Sequence, residues 1–189
     1  SAIGSGAEAV SELDALLGRV GPGRIAAFVA EPIAGATLAG AVPPDDYWPL
    51  VADWCSRNSV LFVADEVMTG FGRTGTWFGV NHWGLRPDLL LAAKGATSGY
   101  WPFGFVAASA RVAEPLTGSG FVHGFTYSHS IPGAAVARAV LATLRDDAPV
   151  GTVDDWRWTG PAADFAAWCE RLGLDRTVEK IANLAAERA

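Results

Sequence analysis

The chain has 189 residues, half of them hydrophobic, enough for one domain with a real core and too apolar for disorder. Its net charge is −6 with no basic run, which argues against a nucleic-acid partner, and its longest apolar runs reach only strand length, so none reads as spanning a membrane. Cys55 and Cys169 share no metal or redox spacing and fit a reducing cytoplasm. No signal peptide is recognisable, Ser1 stands first and the single methionine is Met68, so the sequence reads as processed, trimmed, or a fragment of something longer.

Residues 1–7 read as a loop. Val10, Leu13, Leu16, Leu17 and Val20 recur at helical spacing and predict a helix over 8–20, capped by Ser11 or the preceding glycines and stopped by Gly21-Pro22-Gly23. Residues 25–30 form a continuous apolar run, predicting a strand covered on both faces that ends at Glu31-Pro32. Past Pro43-Pro44, Asp45 or Asp46 caps a helix carrying Tyr47, Leu50, Val51 and Trp54. A second buried strand over 60–64 ends in Asp65-Glu66, and a glycine-rich loop with interleaved aromatics follows over 69–79.

Residues 81–85 read as one helical turn, and the apolar residues 89–93 as a third strand that ends on Lys94. The chain has only two lysines, Lys94 and Lys180. Burial at such a place would lower the amine's pKa and free it for attack on a carbonyl; a lone strand-end lysine more ordinarily reaches into water. A strand over 103–109, a short helix over 111–116, a loop over 118–130 and a small-residue helix over 132–144 complete this part. Beyond Arg145 the chain turns acidic and tryptophan-bearing to about Gly160, and two helices are predicted over 162–172 and 177–188; a boundary falls near residue 146.

The order of elements implies an α/β fold with a mostly parallel sheet flanked by helices. Three strands end on Glu31, Asp65 and Lys94, spaced by 34 and 29 residues, long enough for crossovers between parallel neighbours. Parallel pairing would place all three charges along one carboxyl edge, where open α/β sheets bind ligands. A lysine and a carboxylate there suit pyridoxal phosphate: the amine holds the aldehyde as a Schiff base and the carboxylate keeps the pyridine nitrogen protonated. A structural ion pair at the sheet edge also accounts for the charges, but not for the glycine-rich loop between them.

Glu31-Pro32, the run from Asp65 to Gly75 (DEVMTGFGRTG), Pro87-Asp88-Leu89 with Ala93-Lys94-Gly95, and the run from His123 to Ser128 (HGFTYS) resemble the class III, or ω-type, aminotransferases in order and spacing, over about residues 25–144. The resemblance implies a fold-type-I PLP-transferase architecture, incomplete here, with residues 1–145 a partial cofactor-binding large domain and 146–189 a helical tail of uncertain origin. It implies that Lys94 is the Schiff-base lysine and proton carrier, that Asp65 pairs with the pyridine nitrogen and that Val67 presses on a ring face. Thr126 would reach the cofactor phosphate of a neighbouring subunit in a homodimer, and Glu31 would lie near the cofactor edge. Arg73 is assigned to loop structure, as are His82 and His123; Glu66 is assigned a structural place, and His129 the cap of the next helix. Trp77, Trp83 and Trp101 are divided between a substrate pocket and packing.

The implied reaction moves an amino group from an amine or ω-amino acid to a keto acid, pyruvate in particular, with no metal, nucleic acid or membrane. Met68 stands where many relatives have a glutamine that donates to the cofactor's ring oxygen, which a thioether cannot do; this fits the amine–pyruvate branch. His129-Ser130-Ile131-Pro132 replaces the usual Gly-His-Pro. The family's phosphate-wrapping loop, its ring-stacking aromatic and its small C-terminal domain have no counterpart in the sequence. Weak or absent activity of the isolated chain is therefore expected, and the alternatives are an aminomutase of the same fold or a catalytically inactive truncated fragment.

Overall fold

The computed structural model describes residues 4–35, 38, 40–144, 165–171, 178 and 183. The chain divides into two compact units, Ser1–Asp146 and Asp147–Ala189. In the first, helix α1 spans Gly6–Val20 and starts earlier than its apolar pattern predicts. Its cap is Ser5, not Ser11: the Ser5 hydroxyl accepts from Glu8 N at 3.2 Å while the Glu8 carboxylate accepts from Ser5 N at 3.0 Å. Gly6 begins the helix because nothing larger fits. A Cβ there would sit 2.6 Å from the Asp46 carbonyl oxygen.

Strand β1 (Ala27–Ala30) leads to helix α2 (Tyr47–Arg57) and strand β2 (Leu61–Asp65). The expected Asp cap of α2 takes another form. Asp46 is the N-cap residue but makes no side-chain cap bond, its Oδ1 accepting instead from Gly6 N at 3.3 Å and tying the starts of α1 and α2 together. A 3-10 helix over Gly79–Trp83 precedes strand β3 (Leu89–Ala92); a second, Lys94–Thr97, follows it. Strand β4 (Phe105–Ala108), helix α3 (Ala110–Ser119) and helix α4 (Ile131–Thr143) complete the unit. The cap of α4 is Ser130, whose hydroxyl accepts from Gly133 N at 3.2 Å, and not His129.

The sheet runs β1-β2-β3-β4, with β1, β2 and β3 parallel and β4 antiparallel to β3. The register Phe28↔Phe62 and Ala30↔Ala64 puts these four side chains on one face, since side chains alternate along a strand. That face carries the main core: Trp48, Val51, Trp54 and Cys55 of α2, with Val60, Phe62, Ala64 and Val80, and Val10, Leu13 and Leu17 of α1 around them. Both buried indoles find acceptors, Trp48 Nε1 at the Pro32 carbonyl (2.8 Å) and Trp54 Nε1 at Asp14 Oδ1 (2.7 Å). A second cluster of Phe71, Ala92 and Ala96 joins Leu90 and Phe105 to Leu141 of α4 and to Leu144.

The opposite face differs from expectation. Among the described residues β1 is the edge strand and is covered on one side only: Val29 is 56 % exposed, and Val106 of β4, on the same face, is 59 % exposed, while Val63 of β2 between them is buried. Strands in sequential order place α1 and α2 on one face, and nothing among the described residues shields those two valines.

In the second unit, helix α5 (Phe165–Arg171) falls inside the first of the two predicted helices, and its Cys169 is buried. The acidic stretch 146–160 and most of the second predicted helix lie outside the described residues.

Two tests follow from this packing. Trp48→Ala should cost about 3–5 kcal/mol in urea unfolding, while Val29→Ala should stay within about 0.5 kcal/mol, because only the first deletes packed volume. Burial, and then the nearby Asp88 charge, push the Cys55 thiol up from 9.0 to about 11. A folded-state value above the unfolded one means that stability is fully present below about pH 9 and is lost as pH rises through about 11. Urea midpoints between pH 8 and 11 should fall for the native chain, and Cys55→Ala should remove that part of the slope.

Candidate active site at the carboxyl edge

The parallel pairing brings the three strand ends together. Ala30 pairs with Ala64, so Glu31 is the next position beside Asp65 at the end of β2, and Asp65 itself pairs with Leu91, three residues before Lys94. Asp65 is half-buried. Its Oδ1 accepts from Val67 N at 3.0 Å, and its Oδ2 has no partner among the described residues. Val67 is half-buried in the turn that follows. Glu31 Oε2 accepts from Gly35 N at 3.0 Å, and a Cβ on Gly35 would stand 3.2 Å from both that oxygen and Met68. The carboxylate thus folds the Glu31–Gly35 turn onto Met68.

Of the two placements open to a strand-end lysine, Lys94 takes the exposed one. Its backbone has φ of +35°, a left-handed conformation that costs an L residue about 1–2 kcal/mol. It opens the second 3-10 helix, whose Ala96 and Thr97 are buried. Lys94 lines a depression of about 660 Å³ with Phe71, Gly72, Arg73, Gly95, Ser98 and Gly99. Glu31, Asp65, Val67 and Thr126 do not line it. Arg73, assigned to loop structure by sequence, faces this depression and has no ion-pair partner among the described residues.

Thr126 sits in an exposed turn closed by Ser128, whose hydroxyl donates to the Phe125 carbonyl at 2.7 Å. No described contact joins Thr126 to the other four candidates. Around it Phe121, Val122, Phe125 and Tyr127 are all exposed. His82 serves the loop, its Nε2 lying 3.0 Å from the Thr74 carbonyl oxygen; His123 meets the Phe121 ring at a tilt and the Phe125 ring edge-on. Trp83 packs against the main core and Trp101 is exposed.

Two residues carry more of the site's architecture than their sequence positions announce. Glu66 is fully buried; its Oε2 accepts from Thr69 Oγ1 (2.5 Å) and Gly79 N (2.8 Å), and its Oε1 from Val80 N (2.9 Å). Both ends of the glycine-rich loop thus converge on one carboxylate, and a buried amide left without its acceptor would cost about 1–3 kcal/mol. Asp88 exchanges bonds with Phe62 on β2, accepting from Phe62 N at 2.9 Å and donating its own N–H to the Phe62 carbonyl at 2.8 Å. Its carboxylate also receives Arg111 Nε (3.0 Å) and a terminal Arg111 nitrogen (2.6 Å). A carboxylate directly after Pro87 and ahead of an apolar run was the available signal for this role. For Glu66 there was only its alternation away from Asp65.

The aminotransferase class III family model matches residues 4–157, and the chain belongs to that family. The match takes in α1 and runs past residue 146, wider at both ends than the motifs alone indicate. The chain is 46 % identical over 143 residues to a putrescine–pyruvate aminotransferase of Pseudomonas aeruginosa, covering 75 % of this chain and 31 % of that protein. It is 41 % identical over 140 residues to a diaminobutyrate–2-oxoglutarate transaminase of Halomonas elongata, covering 71 % and 29 %. Among solved structures it is similar to an (S)-enantioselective ω-transaminase from Thermomicrobium roseum (TM-score 0.70, 46 % identity, 74 % of this chain and 31 % of that one). It is also similar to the PLP-bound form of an amine transaminase from an uncultivated Pseudomonas species (TM-score 0.70, 40 % identity, 74 % and 32 %). The chain thus spans about a third of the length of the relatives it matches.

Pyridoxal 5'-phosphate is the cofactor of this family. The residues present fit part of it. Lys94 offers a primary amine, and the unpartnered Asp65 Oδ2 offers an acceptor for a protonated ring nitrogen. Among the described residues no group of His, Cys, Asp and Glu could hold a metal ion, and no helix is long and apolar enough to cross a membrane.

Asp65 separates structure from chemistry. Asp65→Asn keeps a side-chain oxygen for Val67 N and should shift the unfolding free energy by less than about 0.5 kcal/mol, whereas Asp65→Ala should cost about 1 kcal/mol in urea denaturation.

Proposed function

We propose that this chain carries the lysine-bearing part of an aminotransferase that moves an amino group from an amine or ω-amino acid to a keto acid, pyruvate in particular. The observation that carries the reading is the common carboxyl edge, where adjacent parallel strands end at Glu31, Asp65 and, two residues beyond β3, Lys94. Pyruvate as acceptor is supported by the putrescine–pyruvate relative and by Met68.

When bound, pyridoxal 5'-phosphate supplies an electron sink for the carbanion formed at the substrate carbon. Lys94 Nζ would hold the cofactor, and its amine would move the proton that the amino transfer requires. Asp65 Oδ2 would accept from the protonated ring nitrogen while Oδ1 stays on Val67 N, so the hydrogen bond to the main chain aims the carboxylate. Val67 would pack on a ring face. Glu31 borders the cofactor edge, its own orientation fixed by Gly35 N. Thr126 Oγ1 would donate to the phosphate of a neighbouring subunit in a homodimer, a role supported by its place in an exposed turn. Residues 1–145 act as the partial cofactor-binding domain and 146–189 as a tail, in a cytoplasmic enzyme with buried, unpaired cysteines.

A second reading, an inactive module, is favoured by one observation: Lys94 is exposed and the depression it lines contains none of its intended partners. Borohydride reduction in the presence of pyridoxal phosphate decides between them. Covalent cofactor on Lys94, lost in Lys94→Ala, supports the aminotransferase reading; no adduct on Lys94 at millimolar cofactor sinks it. Alanine formation from putrescine and pyruvate by the isolated chain should be weak or absent, because the fixed charges that anchor the phosphate are few.

A further inference from the structure

We propose that Glu66 is a positioning residue for Lys94, acting through the loop between β2 and β3. The inference deepens the reading of Lys94 as the cofactor lysine and rests on it. Three links connect the two residues. Glu66 N donates to the Leu91 carbonyl at 3.0 Å, fixing the loop's first residue to the strand that leads to Lys94. The fully buried Glu66 carboxylate collects Thr69 Oγ1, Gly79 N and Val80 N, so both ends of the loop are pinned to one point. The loop's interior then abuts the residue after the lysine. A Cβ on Gly95 would stand 3.1 Å from Phe71 Cβ and 3.2 Å from the Gly70 carbonyl oxygen, and Gly70 N itself donates to the Glu66 carbonyl at 2.9 Å.

This contact bears on the strained part of the site. Lys94 has φ of +35° with no ion-pair or hydrogen-bond partner on its side chain among the described residues, so backbone packing must hold it there. Gly95 lies between that backbone and the loop, and Ala96 and Thr97 behind it are buried. If the loop is released from the Glu66 carboxylate, its wall against Gly95 moves, and Lys94 is free to relax to negative φ. Glu66 acts on Lys94 through Gly70, Phe71 and Gly95.

Glu66→Gln tests this, since the amide keeps the shape but puts N–H groups where one backbone N–H needs an acceptor. Hydrogen exchange followed by mass spectrometry on the 189-residue chain, without cofactor, should show exchange over 94–98 faster by at least about tenfold while α1 is unchanged; a purely global loss of stability would speed both. The partition of borohydride-trapped cofactor between Lys94 and Lys180, an internal reference, should fall at least about fivefold. Gly95→Ala, which pushes on the same contact with Glu66 intact, should give the same two changes and decides the matter if Glu66→Gln does not fold. Unchanged exchange over 94–98 in a folded variant overturns the proposal. Faster exchange with no preference for Lys94 in the native chain upholds the link from Glu66 to the segment and instead overturns the assignment of Lys94.

Discussion

A buried carboxylate is the most demanding group in this chain, and Glu66 shows how its demands organise a site. Taking a charge out of water is tolerated only where donors replace the lost solvation. Here the three donors come from opposite ends of a glycine-rich loop. The loop therefore folds around the charge. Glycines occur where the geometry leaves no alternative: a Cβ on Gly79 would meet Pro32 and Thr69 at 3.1 Å, and one on Gly70 would meet the Glu66 carbonyl oxygen at 2.8 Å. Pro32 in turn receives the Trp48 indole, so the loop, the Glu31 turn and the main core share one set of contacts.

The sheet supplies the frame to which this loop is fastened. Asp88 makes reciprocal backbone and side-chain bonds to Phe62, setting where β3 starts beside β2, and Arg111 neutralises it from α3. That register decides that Asp65 and Leu91 lie side by side and hence that Lys94 emerges three residues further along the same edge. The Arg111 pair is partly exposed, so its direct electrostatic contribution is discounted for solvent. Its consequence is geometric: it joins β3 to the helix that follows β4.

Much of this was legible in the sequence, for reasons tied to particular residues. The strands over 27–30, 61–65 and 89–92 stand out because apolar runs of that length are bounded by Gly, Pro and charge, and Asp65 and Lys94 stand out because they end such runs. The strand over 61–65 is buried as its apolar run implies, but β1 is not, because a continuous apolar run does not by itself tell whether both faces are covered. Val29 and Val106 have the side chains of buried strands and no described neighbour to bury them. Caps failed for a different reason. Ser5 and Ser130 won over Ser11 and His129 because capping depends on where the backbone turns, and Gly6 could start α1 early only by lying against Asp46, forty residues away. Glu66 was set aside because alternation points it away from Asp65; that it meets both ends of a loop emerges only when the loop is folded.

Lys94 joins these levels. Its apolar approach argued for burial, yet the side chain is exposed while the backbone beneath it is fixed in a left-handed turn flanked by buried Ala96 and Thr97. Side-chain environment and backbone placement are thus supplied by different parts of the protein. The described residues furnish the second: strand β3 aims the turn, Gly95 admits the loop, and Phe71 closes against Phe78 and Phe105. They furnish the first only at Asp65, whose one free oxygen is held in place by the main chain. A reactive lysine needs both, since an amine in the right place but open to water lacks the desolvation that sharpens its chemistry. Among the described residues the strand edge carries the position of Lys94 and leaves its side chain open to water.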